Sequence, residues 1–218
     1  MMSVEPRNTQ LCSETTSVGS DILCEFLEVT IHSILYLRDL YPRGVFEKRK
    51  KYNVPVQMCL HPDVCKYVVN IVDSVHRLNQ LNQVEKIAMV ILGSDHRPLE
   101  RFVIEISKHS DHLKGDDRYL YQLEQSLRAF LLKLTVSDAL LQPLPKDCTW
   151  TIQIETTESA ANNINDHQMI QGFPWVEAEG RETNLAEPNI VPLKSVTSDY
   201  IKMQMFVEET TEKKLHNS

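Results

Sequence analysis

The sequence predicts an α+β domain in which three helices pack on an antiparallel sheet. Three observations carry this. Apolar residues recur at helical spacing in three segments near 20–37, 62–78 and 120–134. Alternating strands meet across a turn at Gly93–Pro98. Two further alternating stretches, Cys148–Glu155 and Tyr200–Val207, add to the same sheet. With 42% apolar and 24% charged residues among 218, the chain can bury a core.

Residues 1–20 are rich in Ser, Thr and Glu without an apolar period and read as a flexible tail. Ser20 is the expected N-cap of the first helix, with Asp21 in its first turn. Asp21, Glu25, Glu28 and His32 form one polar stripe on a cylinder otherwise lined by Ile22, Leu23, Phe26, Leu27, Val29, Ile31, Ile34 and Leu35. A helix this apolar is central to its fold. Tyr41-Pro42-Arg43-Gly44 ends it.

Residues 43–51 carry five positive charges and one negative. Such a run reads either as a nuclear import signal or phosphate contact, or as a solvated turn beside a short strand. Pro62 opens the second helix, whose buried face is Val64, Val68, Ile71, Val75 and Leu78. Val84–Leu92 is a buried strand and Leu99–Ile106 its hairpin partner, with Phe102, Ile104 and Ile106 on one face and Arg101, Val103 and Glu105 on the other. Residues 107–118 form a polar loop. Leu120, Leu123, Leu127, Phe130 and Leu134 mark the third helix, capped by Asp116 or Asp117. On the strand after it, Trp150, Ile152 and Ile154 share a face.

The last third differs. Between Glu155 and Tyr200 eight acids face two bases, and apolar residues come in islands at 169–170, 173–176 and 190–193. A weakly structured stretch that returns to the sheet for its last strand is expected to rearrange. Residues 208–218 read as a polar tail.

Several chemistries are excluded by what is missing. No two of the six glycines lie closer than eight positions, so no phosphate-cradling or nucleophile-elbow motif exists. Five cysteines without a CxxC read as reduced thiols. Cys59-Leu-His61-Pro-Asp63-Val-Cys65 lacks the second half of a zinc site, and a strand end followed by a helix start accounts for it. His109, Asp111 and His112 lie in the polar loop. No catalytic, metal or cofactor site is expected, and the chain is not read as an enzyme. A net charge of −7 disfavours direct nucleic-acid binding. The longest apolar run, Ile87–Leu92, is too short to span a membrane, and Met1–Gln10 does not read as a secretory signal. A soluble intracellular protein is expected.

Ile22-Leu-Cys-Glu-Phe-Leu-Glu-Val29, Tyr41-Pro42, Lys48-Arg-Lys-Lys-Tyr-Asn-Val-Pro-Val-Gln-Met58, Leu127-Arg-Ala-Phe130, Phe173-Pro-Trp175, Pro192-Leu-Lys194 and Thr197-Ser-Asp199 together resemble the HORMA-domain family. Within it they are most similar to the branch of non-catalytic accessory subunits of translesion DNA polymerase zeta. The resemblance spans about 21–209 and implies a HORMA domain there, with 156–209 as a mobile C-terminal safety belt and 210–218 as a polar tail.

What the resemblance implies is an adaptor that clamps extended, proline-containing partner segments and links translesion polymerases with other repair and cell-cycle factors. Tyr67, Trp175 and Ile190 would line the partner groove. Ile190, Gln204 and Phe206 would bind the C-terminal domain of a second translesion polymerase. Lys48, Arg128 and Ala139 would pair with another HORMA subunit in a homo- or heterodimer, although Arg128 reads equally as a solvated helix charge. Other implied partners are the catalytic subunit of polymerase zeta, double-strand-break end-protection factors, a mitotic ubiquitin-ligase activator and an AAA+ remodelling ATPase. The implied location is the nucleus, with some cytoplasm. The alternative is a spindle-checkpoint HORMA protein that binds mitotic regulators.

Overall fold

The structure is a computed structural model, and it describes residues 8–80, 83–108, 117–157, 175–178, 185, 187–197, 201–211 and 213. Helix α1 spans Asn8–Leu37. It begins well before Ser20, so the segment expected as a tail is helical from Asn8 onward. Ser20 is an interior position and not a cap. Its buried hydroxyl accepts a hydrogen bond from Asn79 Nδ2 at 2.9 Å.

The far end of α1 closes on a Schellman pattern. Asp39 takes φ 49°, Asp39 N–H donates to the Tyr36 carbonyl at 3.3 Å, and Leu40 N–H donates to that of Leu35 at 3.1 Å. After a short 3-10 turn, Arg43–Val45, the antiparallel strands β1 (Phe46–Lys51) and β2 (Val54–Cys59) form a hairpin. Tyr52 and Asn53 turn it with φ of 48° and 58°, the two left-handed residues of a type I′ loop. The basic run is therefore strand and not turn, with Lys48, Arg49 and Lys50 exposed.

Helix α2 (Pro62–Gln80) and the strands β3 (Val84–Leu92) and β4 (Pro98–Lys108) follow as the periodicities predict. Helix α3 spans Asp117–Ser137, a second 3-10 turn covers Asp138–Leu140, and β5 spans Thr149–Thr156. Two strands close the chain, β6 (Asn189–Thr197) and β7 (Ile201–Glu209). The island at 190–193 is thus part of a strand. Of the loop expected at 107–118, residues 107–108 belong to β4 and 117–118 to α3; Met169, Ile170, residues 109–116 and residues 214–218 lie outside the described residues.

The main sheet runs in the order β5-β3-β4-β7-β6, with all its pairs antiparallel. Its inner face carries Ile87, Met89, Ile91, Phe102, Ile104, Ile106, Ile152, Met203, Met205 and Val207 into one core with the helices. Helix α1 sits in the middle of that core, packed against α2, α3 and β2. Phe26 stacks edge-on against Phe130 of α3, at 6.1 Å between centroids, and against Tyr52 of the hairpin. Among the described residues, no helix is long and apolar enough to cross a membrane.

Burial forces the polar side chains of α1 to find protein partners. His32, the last member of the predicted wet stripe, is 1% exposed. Its Nδ1 accepts from the Cys59 N–H at 3.3 Å, which ties α1 to the end of β2. Burial, assisted by the nearby Arg49 charge, lowers its pKa from 6.5 to about 4. The unfolded chain therefore takes up this proton first as the pH falls. The stability His32 contributes is complete above about pH 7 and drains away between 6.5 and about 4. Between pH 7 and pH 5 this one group should remove about 2 kcal/mol. Urea midpoints of the wild type and of His32→Gln, taken at both pH values, should show a smaller pH-dependent loss in the variant. Equal losses would sink this reading.

Candidate functional site

The two edges of the main sheet are built differently. β6 carries Pro192 and Lys194 and a register irregularity between them. Proline, lysine and bulges are the devices that stop an edge strand from recruiting another strand. β5, Thr149-Trp-Thr-Ile-Gln-Ile-Glu-Thr156, has no proline or lysine, and the irregularity in its pairing with β3 lies on β3, between Val84 and Lys86, at the end of the strand. Among the described residues β5 pairs on one side only, with β3. No strand among the described residues pairs with its other side, where an incoming strand would meet main-chain donors and acceptors.

Aromatic side chains stand beside this edge. Trp150 of β5 meets Tyr67 of α2 edge-to-face, with 5.2 Å between ring centroids. The Trp150 indole N–H donates to the Tyr41 hydroxyl at 3.1 Å, which fixes the ring against the chain leaving α1. Trp175, in the irregular stretch 175–178, donates its indole N–H to the buried Ser74 hydroxyl of α2 at 2.5 Å. Tyr67 and Ser74 are seven positions apart, two helical turns along one face of α2. Tyr67 and Trp175 therefore attach to the same helix face, and both pack against the main core. Val176, the next residue, is 84% exposed.

Ile190 lies elsewhere. It sits on β6, at the opposite edge from β5. Four strand spacings of about 4.8 Å separate the two edge strands, roughly 19 Å. The expected trio is thus divided, and Ile190 does not join Tyr67 and Trp175. Sequence alone misses Trp150, Tyr41 and Ser74. The signal for Trp150 was available: an indole on a strand needs a partner for its N–H when partly buried.

Ile190 does share a surface with Gln204 and Phe206. Residues directly opposite in an antiparallel pair point to the same face, and Ile190 faces Glu208 while Gln204 faces Glu105. Alternation along β7 then puts Gln204, Phe206 and Glu208 on the outer face of the sheet with Ile190. Phe206 packs there with Ala88, Val90 and Val103 in a small second cluster. Ion pairs flank it: Arg101 with Glu208 at 2.8 Å, and Lys86 with Glu155 at 3.0 Å. Ile190 is 58% exposed at the rim of this patch.

The three remaining positions lie on three elements. Lys48 is exposed on β1, Arg128 half-buried on α3, and Ala139 exposed in the 3-10 turn after α3. Around Arg128 and Ala139, α3 and its turn expose Tyr121, Leu132, Val136 and Leu140. Residues 121, 128, 132 and 136 recur at helical spacing, so Tyr121, Leu132 and Val136 form an apolar stripe that Arg128 interrupts.

The Cys59–Cys65 stretch has a structural account. The Cys65 thiol donates to the Cys59 carbonyl at 3.0 Å as β2 gives way to α2, and burial pushes that thiol's pKa up. Among the described residues no group of three or more His, Cys, Asp or Glu side chains is placed to hold a metal ion.

Comparison with known proteins places this architecture. The HORMA-domain profile matches residues 20–201. The zebrafish (Danio rerio) mitotic spindle assembly checkpoint protein MAD2B is 47% identical over 196 residues, covering 90% of this chain and 93% of the relative. The DNA polymerase zeta processivity subunit of Arabidopsis thaliana is 32% identical over 187 residues, covering 85% and 83%. A structure of C. elegans HTP-2 bound to the HIM-3 closure motif has the same fold, with a TM-score of 0.69 at 13% identity over 89% of this chain and 91% of that one. On the profile match and the two sequence relatives, the chain belongs to the HORMA-domain family.

Proposed function

We propose that the chain is a non-catalytic adaptor that takes up an extended, proline-containing partner segment as an added strand on β5 and holds it with the 156–209 region as a belt. The observation that carries this reading is a β5 edge unpaired among the described residues, with Tyr67 against Trp150 at its start and Trp175 on the same face of α2 as Tyr67. Main-chain pairing along β5 would supply register and affinity. The aromatic pockets would select alternate side chains of the guest. Contact of Trp175 with α2 and the place of β6 at the edge opposite β5 support this use of the 156–209 region. A belt of that kind slows release more than it speeds capture.

The guests that fit this reading are segments of the catalytic subunit of polymerase zeta, as the name of the Arabidopsis relative suggests. The outer face of Ile190, Gln204 and Phe206 would hold the C-terminal domain of a second translesion polymerase. The apolar stripe near Arg128 and Ala139 would pair with a second HORMA subunit. Nuclear location, end-protection factors, a ubiquitin-ligase activator and an AAA+ ATPase that reopens the belt belong to the same reading. A spindle-checkpoint role is the second reading, and the name of the zebrafish relative favours it. The two differ in which guest segment binds.

Titration calorimetry with an extended, proline-containing peptide from the polymerase zeta catalytic subunit tests the groove. Trp175→Ala should weaken binding by at least about 2 kcal/mol, roughly 30-fold in Kd, with far-UV circular dichroism unchanged. Unaltered affinity would remove Trp175 from the groove. Hydrogen exchange tests the strand addition separately. Amides of 149–156 should gain protection when the peptide is present, whereas those of β1 and β2 should not change. No gain at β5 would mean that the guest docks on some other surface.

A further inference from the structure

The segment read from sequence as a polar tail contributes to the most buried charge cluster among the described residues. Glu209, Thr210 and Lys213 are 2%, 4% and 1% exposed. Lys213 Nζ donates to Glu209 Oε1 at 2.8 Å and to Glu100 Oε1 of β4. Arg38, at the end of α1, grips Glu100 with a two-point fork, Nε to Oε2 at 2.9 Å and Nη2 to Oε1 at 2.6 Å. Arg38 Nη1 also donates to Asp138, which is half-exposed. Burial lowers the Arg38 pKa, but these carboxylates outweigh it and hold the guanidinium more basic than usual. The Gln142 main chain stitches the cluster together. Its N–H donates to Glu209 Oε1 at 2.7 Å, and its carbonyl accepts from Arg38 Nη2 at 2.6 Å.

The cluster divides cleanly. Arg38 and Glu100 both belong to the framework of α1 and β4 and cancel each other. Glu209 and Lys213 both belong to the C-terminal end of β7 and also cancel. If that end departs, it carries away one charge of each sign and leaves a hydrogen-bonded, neutral pair behind. Neither side is left with a lone buried charge, the outcome that makes breaking most buried ion pairs so unfavourable. Replacing only one of Glu209 and Lys213 leaves the buried set with one uncompensated charge.

We infer that the Glu209–Lys213 pair is a releasable latch, which fastens β7 beside β4 and lets the 189–209 arm detach without stranding a charge in this cluster, while Arg101, which loses Glu208, still has Glu155 within 3.8 Å. The inference rests on the reading of that arm as a moving belt. It adds the point at which the arm is held. The backbone closes at the same place, with Thr210 N–H donating to the Leu99 carbonyl at 3.0 Å.

Amide hydrogen exchange on the full chain tests this, with wild type, Glu209→Gln, Lys213→Met and the double variant. In wild type, β7 amides should exchange ahead of those of β3. Each single variant should speed β7 exchange by about tenfold or more while β3 changes far less. The double variant should fall well below the product of the two single effects, because no charge is left unpaired. Single variants that leave β7 unchanged, a double variant equal to the product, or β3 accelerating in step with β7 would each overturn the latch. If wild-type β7 exchanges only when β3 does, the moving-arm reading is lost and the latch with it. If β7 exchanges ahead of β3 but the single variants have no effect, the latch alone is lost.

Discussion

Enclosure of one helix sets the terms for everything else in this fold. Between Ser20 and Arg38, α1 is in contact with a helix on two sides and a strand on a third, and Phe26, Leu27, Val29, Ile34 and Leu35 are almost wholly out of water. Apolar burial on this scale drives the assembly but has no direction. Direction comes from the few polar groups that the same burial traps. Ser20 fixes α2 through Asn79, His32 fixes the end of β2, and Arg38 fixes β4 through Glu100. At the surface, Glu25 reaches Lys51 and the Tyr52 hydroxyl, which seats the hairpin tip. Each of these partners lies within two residues of an element's end. The helix thereby positions the sheet whose edge serves as the candidate site.

Much of this was legible in residues. The four-three spacing from Val64 to Leu78 and the alternation through Phe102, Ile104 and Ile106 are local patterns that burial enforces directly. The N-terminal extension of α1 was not legible, because Ser, Thr and Glu there carry no apolar period. β6 was hidden for a different reason. As an edge strand with Pro192 and a bulge, it buries only Leu193 fully, so its composition resembles a loop. The burial of Lys213 could not be foreseen, since two of its three partners, Glu100 and the Gln142 carbonyl, come from parts of the chain far away in sequence.

The candidate site shows the same division. Tyr67 and Trp175 are brought to one helix face by contacts that span most of a hundred residues or more, and only the resemblance to a family suggested grouping them. The same resemblance placed Ile190 with them, whereas strand order sends it to the other edge beside Gln204 and Phe206. Side-chain identity says which residues can act. The order of strands in the sheet decides which of them act together.

The contrast between the strands that border the sheet has a consequence for supply. β6 is guarded, and β5, among the described residues, is not. A strand of Thr, Ile and Trp that lacks proline and lysine is, where its outer side stands unpaired, as ready to accept a copy of itself, or an unfolding neighbour, as its proper guest. Molecules synthesised in excess of their guests would carry that hazard until they were occupied or degraded. The abundance of such a protein is then bounded from above by the abundance of what it holds.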